Sequence, residues 1–212
     1  MDTPETGPPE PPARRTRAGG DRTRSRVADT AAALASVEGV EGLSIGRLSE
    51  ATGLAKSSIH ALFGSKEDLQ LATIEAARDS FIAEVVAPAL VDTEPGRDRL
   101  LALCDGFLSY VERRVFPGGC FFVGAAAEVG SRPGRVHDEV ARVQQQWADL
   151  LAREAETASE RGELPDGTDP AQVSYELGVI LAGTNIVSVL HDDLGAVERA
   201  RSAVRRVLGL AA

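Results

Sequence analysis

Residues 44–69 constrain this chain more than any other stretch. Ser44 stands where a helix N-cap belongs, and Ile45, Leu48 and Ala51 follow at helical spacing. Gly53 then supplies a residue able to take the left-handed turn conformation. A second short helix is expected from about Ala55 to Phe63, where Gly64 breaks it. Ser65-Lys66-Glu67-Asp68 opens the next helix with a capping-box pattern in which Asp replaces the usual Glu. Ser49 is small enough to let the two short helices cross closely, and Leu54 and Ile59 can fill the core they share. These offsets are those of a helix-turn-helix.

The remainder reads as helix too. The chain is rich in Ala, Leu, Val and Arg, poor in aromatics, and lacks alternating β-branched runs, so the fold class is all-α. A first helix is expected at about 22–38, ended by Gly39 and Gly42, and the helix opened at Ser65 should run to Pro88. Beyond Pro95-Gly96, helices are expected at about 97–115, 120–129, 134–161, 170–190 and 193–208, giving about nine in all. Residues 1–21 carry Pro4, Pro8, Pro9, Pro11 and Pro12 among glycines and charges, a composition expected to stay disordered. Three regions follow: a tail at 1–21, an N-terminal three-helix domain at 22–66, and a larger helical domain at 67–212.

Charge separates these regions. The whole chain is at −9, which by itself disfavours a polyanionic partner. Between Arg14 and Lys66, however, there are nine Lys or Arg against five Asp or Glu, while from Glu67 onward there are fourteen against twenty-four. A basic module is fused to an acidic body, and only the first would be drawn to DNA. Arg14, Arg15, Arg17, Arg22, Arg24 and Arg26 could lie along phosphates or form a solvated charge run. Cys104 and Cys120 fit neither a metal spacing nor a redox pair and are expected to be buried free thiols. With no signal-peptide core and no long uninterrupted apolar run, the expected location is cytoplasmic, away from membranes.

On the helix at 55–63, Ile59, Leu62 and Phe63 form the apolar stripe, and Ser57 and Ala61 lie opposite, flanked by Ser58 and His60. No acid stands on that outer face, and Lys56 sits at its N-terminal end. Short hydroxyl, imidazole and ammonium side chains let a helix approach a major groove. The run from Ala51 through Phe63-Gly-Ser-Lys-Glu-Asp-Leu69 resembles the signature of the tetracycline-repressor (TetR) family. The resemblance, strongest over about 22–70, implies a DNA-binding domain of three helices joined by a fourth to a helical domain that binds a small ligand and dimerises. It assigns Lys66 to phosphate and Ser57 and Ser58 to the groove. His60 stands where a phosphate-contacting tyrosine is usual, and Ala55 replaces a common capping serine. Ser44, Ala61 and Arg24 complete the expected DNA-contacting set.

For the acidic body, the same resemblance implies a homodimer paired through the last two helices. Leu177, Ile180, Thr184 and Val187 on one, and Val197, Val204 and Val207 on the other, are the expected interface, an intramolecular core being the alternative. The scarce aromatics Phe107, Tyr110, Phe121, Phe122 and Trp147 suggest a pocket for an apolar or aromatic effector, although an ordinary core would carry the same cluster. Glu128, Arg132 and His137 could orient a polar end of that ligand or be solvated loop groups. No cofactor, metal site or catalytic residue is expected: His60, His137 and His191 are scattered, and no Ser or Cys nucleophile has a base nearby in sequence. The expected function is a DNA-binding transcriptional regulator, a repressor released from double-stranded operator DNA by a small molecule. The competing expectation is a ligand- or partner-binding helical module that does not read DNA.

Overall fold

A computed structural model describes residues 17–211, and all regular structure among them is helical. The elements are α1 (Arg17–Glu38), α2 (Ile45–Thr52), α3 (Lys56–Phe63), α4 (Lys66–Phe81), α5 (Ala87–Asp92), α6 (Arg97–Glu112), α7 (Phe121–Val129), α8 (Arg135–Glu160), α9 (Pro170–Leu190) and α10 (Gly195–Val207). A π-helical turn, Ile82–Val86, joins α4 to α5 without a break, so the segments form nine rods. The expected tail, with Arg14 and Arg15, falls mostly outside the described residues. Its last part is corrected: α1 begins at Arg17, not 22, because a formed helix extends cheaply through residues that accept its dihedrals.

Pro88 was expected to stop the fourth helix and does not. A proline has no N–H to donate, and its ring presses on the carbonyl four residues back. The π turn opens the ladder just before it, with the Ala87 N–H reaching the Ile82 carbonyl five residues back, and the helix runs on to Asp92.

Two layers of packing follow. Val27, Ala31, Leu43, Leu48, Ile59 and Leu69 close a small core between α1 and the short helices. In the body, Leu103 and Leu108 of α6, Leu151 and Ala155 of α8, Leu177 and Leu181 of α9, and Val197 and Val204 of α10 are fully buried or nearly so. Each such aliphatic side chain contributes roughly 1.5–3 kcal/mol on burial. The rod formed by α4 and α5 belongs to both layers: Leu69 and Ile74 face the first, Phe81 and Val85 the second.

Candidate DNA interface and effector cavity

Local hydrogen bonds build the turn between α2 and α3. The Ser44 hydroxyl accepts the Arg47 N–H at 3.2 Å and starts α2. Gly53 ends it at φ 69°, a conformation that would strain a residue with a Cβ, and donates to the Ser49 carbonyl. Ser49 Oγ then donates to the Leu54 carbonyl at 2.7 Å, which fixes the angle at which α3 leaves. Ala55 gives α3 no side-chain cap. Ser65 restores order at the next start: its Oγ accepts the Asp68 N–H and donates to the Asp68 carboxylate, which takes the hydroxyl where a Glu would ordinarily accept the Ser65 backbone N–H.

This frame buries Ile59 and Phe63 and leaves Lys56, Ser57, His60 and Ala61 exposed, with Ser58 half-buried at the edge. Lys66 is exposed as well, its Nζ resting 2.7 Å from the Glu41 carbonyl. Arg24 is placed differently from expectation. Its guanidinium lies over the Phe63 ring of α3, 5.2 Å from the centroid, where cation–π attraction holds it in a crevice also lined by Asp68, Arg78, Arg135 and Glu139. Arg47, on α2, is tied to Glu38 and Glu50, and its guanidinium holds the Glu38 carboxyl below the usual carboxylate range.

The DNA-facing end is bolted to the body at points that the residue pattern did not reveal. Glu128, on α7, is neither a ligand-orienting nor a freely solvated group: its carboxylate accepts the N–H groups of Val40 at 2.7 Å and Glu41 at 3.0 Å. Gln70 holds the same loop from α4 by donating to the Val40 carbonyl. Beside them the Gly118 N–H donates to Ser36 Oγ, and a Cβ on Gly118 would stand 1.8 Å from the Ser36 carbonyl oxygen. Only glycine permits that approach. The next peptide turns the other way, where the Cys120 N–H donates to Asn185 Oδ1, deep on α9. Arg132 is exposed, and His137 lies 2.9 Å from the Asp138 carboxylate, outside the cavity.

A cavity of about 640 Å³ lies in the body, bounded by α4, the π turn, α5, α6, α7, α8 and α9. Three of the five expected aromatics, Phe107, Phe122 and Trp147, line it. Tyr110 and Phe121 do not: both are buried behind it, in edge contacts with Phe81 and Phe122 respectively. Burial raises the Tyr110 hydroxyl far above its ordinary pKa, so it stays protonated. Two lining aromatics fall outside the expected set, exposed Tyr175 on α9 and Phe81 on α4, and of these Phe81 is the buried one. It stands perpendicular to Trp147 at 5.2 Å and also meets Phe107 at 6.1 Å, pairs worth about 0.5–1.5 kcal/mol each beyond area burial. Cys120 borders the cavity too, its thiol pushed by burial up to about 11 and therefore protonated at neutral pH. Both cysteines are free and buried, as expected.

The expected pairing residues are largely corrected. Leu177, Thr184, Val197 and Val204 are buried in the chain's own core, and Ile180 and Val207 pack half-buried against it; only Val187 is exposed. The single apolar stripe of α10 is consumed by α6 and α9, and its outer side carries Glu198, Arg199 and Arg206. The opposite face of α9 carries free apolar surface: Tyr175 is 68 % exposed, Val179 53 %, Ile186 53 % and Leu190 72 %. By length and composition α9 could cross a membrane, with mean hydropathy 1.5 over its most apolar window, but its other side is core.

Comparison with known proteins agrees with this geometry. Residues 27–73 match the family model "Bacterial regulatory proteins, tetR family", and residues 96–204 match "Tetracyclin repressor-like, C-terminal domain". No curated protein matches significantly. Among solved structures, a TetR transcriptional regulator from Chloroflexus aurantiacus J-10-FL is 28 % identical, with 91 % of this chain and 96 % of that one aligned at a TM-score of 0.82. E. coli NemR in its reduced form is 21 % identical, covering 90 % and 99 % of the two chains at 0.75. AibR, solved with isovaleryl coenzyme A and operator DNA, is 20 % identical, covering 88 % and 97 % at 0.67. With both halves matched, a helix-turn-helix at one end and a lined cavity at the other, the chain belongs to the TetR family of DNA-binding transcriptional regulators.

Proposed function

We propose that this regulator is a cytoplasmic repressor: two copies occupy an operator that overlaps a promoter, and an apolar or aromatic small molecule entering the cavity releases them. The outward Ser57, Ser58, His60 and Ala61 meet base edges, while Lys56, Lys66 and the Ser44 end of α2 meet phosphates. Those groups are short, so readout by one copy is modest, and two half-sites about one helical turn apart supply the rest. AibR, bound to an acyl-coenzyme A and to operator DNA, is a relative that joins both kinds of ligand in one fold.

The position of Phe81 carries this reading. It sits on the rod whose first turn follows the recognition helix after Gly64 and Ser65, and its ring is part of the cavity wall against Trp147. A ligand that displaces this ring changes the packing of α4 and with it the seat of α3, while Glu128 and Gly118 hold α1 to the body. Ligand and DNA affinity are thereby coupled through one element with two packings. Fluorescence polarisation with duplex from the flank of the protein's own gene tests it. The expected result is a salt-sensitive specific complex, weakened about tenfold in Lys66→Ala, with a salt slope lower by about one. Wild-type protein that binds this duplex no better than a scrambled one would overturn the reading.

A further inference from the structure

We infer that the effector cavity is completed by the second copy of the chain, so that ligand binding and dimerisation reinforce each other; this rests on the dimer proposed above. The cavity is not closed within one chain. Its exposed lining includes Ile82 and Leu90 on the α4–α5 rod, Asp149 and Arg153 on α8, and Tyr175 and Val179 on α9, so α9 supplies one side of the opening. Tyr175 and Val179 also begin the bare apolar stripe that continues along α9 through Ile186 to Leu190. One surface thus serves as a part of the rim of the cavity and as an unpartnered apolar face. Whatever covers the stripe narrows the mouth.

A copy of the same chain fits that face. No charged residue occurs between Glu176 and His191, so the stripe opposes itself without repulsion. Gly183 lies in its middle with open space where a Cβ would be, which lets two α9 helices cross closely. The C-terminal half of α9 lies toward the DNA-binding end, since Asn185 holds Cys120 while Gly118 of the same loop holds Ser36 of α1. Two copies that face one duplex share a two-fold axis running along the molecule toward that end. This axis sets α8 of one copy opposite α10 of the other. Exposed Asp149 and Glu156 of α8 then meet exposed Arg199 and Arg206 of α10. The effector is an apolar molecule that reaches the rim, where it contacts both subunits.

Gly183→Arg provides the test, because the position faces open space and does not line the cavity. Light scattering reads the assembly, circular dichroism the fold, and the apolar dye N-phenyl-1-naphthylamine, excited by transfer from Trp147, reads the cavity; Trp147 is the chain's one tryptophan. The expected result is a folded monomer that binds the dye about tenfold more weakly, the scale usual for coupling between sites. Wild-type protein diluted below its dimer dissociation constant should lose affinity equally, and saturating dye should lower that constant by the square of the factor, about a hundredfold, since the dimer holds two cavities. A folded monomer with unchanged dye affinity would overturn the inference and leave the dimer standing. A wild-type monomer, or a Gly183→Arg dimer, would overturn the pairing on which it rests.

Discussion

The outer faces of α3 and α9 are both bare of neighbours, yet they suit opposite partners. On α3 the exposed groups are short and polar, Ser57, His60 and Lys56, and the helix behind them is held by bonds that span only a few residues, such as Ser49 to Leu54. On α9 the exposed groups are long and apolar, and the helix is held by bonds across the chain, Asn185 to Cys120 and the Ser188 carbonyl to Arg114. A hydrated polyanion needs the first kind of surface, since short side chains let the backbone approach. A self-association face needs the second, since its affinity comes from apolar area. Exposure alone distinguishes neither; the chemistry of what is exposed, and the distance over which it is supported, does.

Substitutions on each face sharpen the contrast. The largest effect is expected inside α9: Leu177→Ala should cost about 2–5 kcal/mol in denaturant unfolding while the protein remains dimeric, because Leu177 is fully buried in its own chain. Ile186→Asp, nine residues on but on the bare face, should do the reverse, giving monomers by light scattering that keep their helical circular dichroism, with a melting temperature lowered only by the lost association. On α3, Ser57→Glu should weaken specific duplex binding about a hundredfold by setting a carboxylate against the groove, with assembly untouched. A dissociated Ser57→Glu protein would show that the two faces are not independent. Between them, Glu128→Ala should keep operator affinity within a few-fold and shrink the ligand-induced release, read as the ratio of duplex affinities with and without effector. Smallest is Ser65→Ala, which should cost about 1 kcal/mol of thermal stability through loss of the α4 cap.

Legibility in the sequence followed the same division. Ser44, Gly53 and Ser65 announce helix starts and stops through local chemistry, so the helix-turn-helix could be placed nearly residue by residue. On α9, by contrast, apolar residues occur all round and periodicity does not separate the core side from the bare one; the side expected to pair, with Leu177 and Thr184, is core. The aromatics stand out as a cluster, but the sequence marks α4, which carries Phe81 on its apolar face, as the link between the domains and not as a wall of the cavity. Glu128 was invisible because its partners, two backbone N–H groups, belong to a loop some ninety positions earlier, and no side-chain pattern marks them.

The π turn before Pro88 has a consequence for how the cavity can diversify. It accommodates one more residue than a regular turn, so everything after Val86 is rotated by about 100° from where an uninterrupted α-helix would set it. Leu90 reaches the cavity mouth through that rotation. Removing a single residue here, together with the proline, would swing the rim away while leaving the rod and its DNA end in register. Chain length at this one turn therefore acts as a dial on ligand choice that needs no change in the residues lining the cavity.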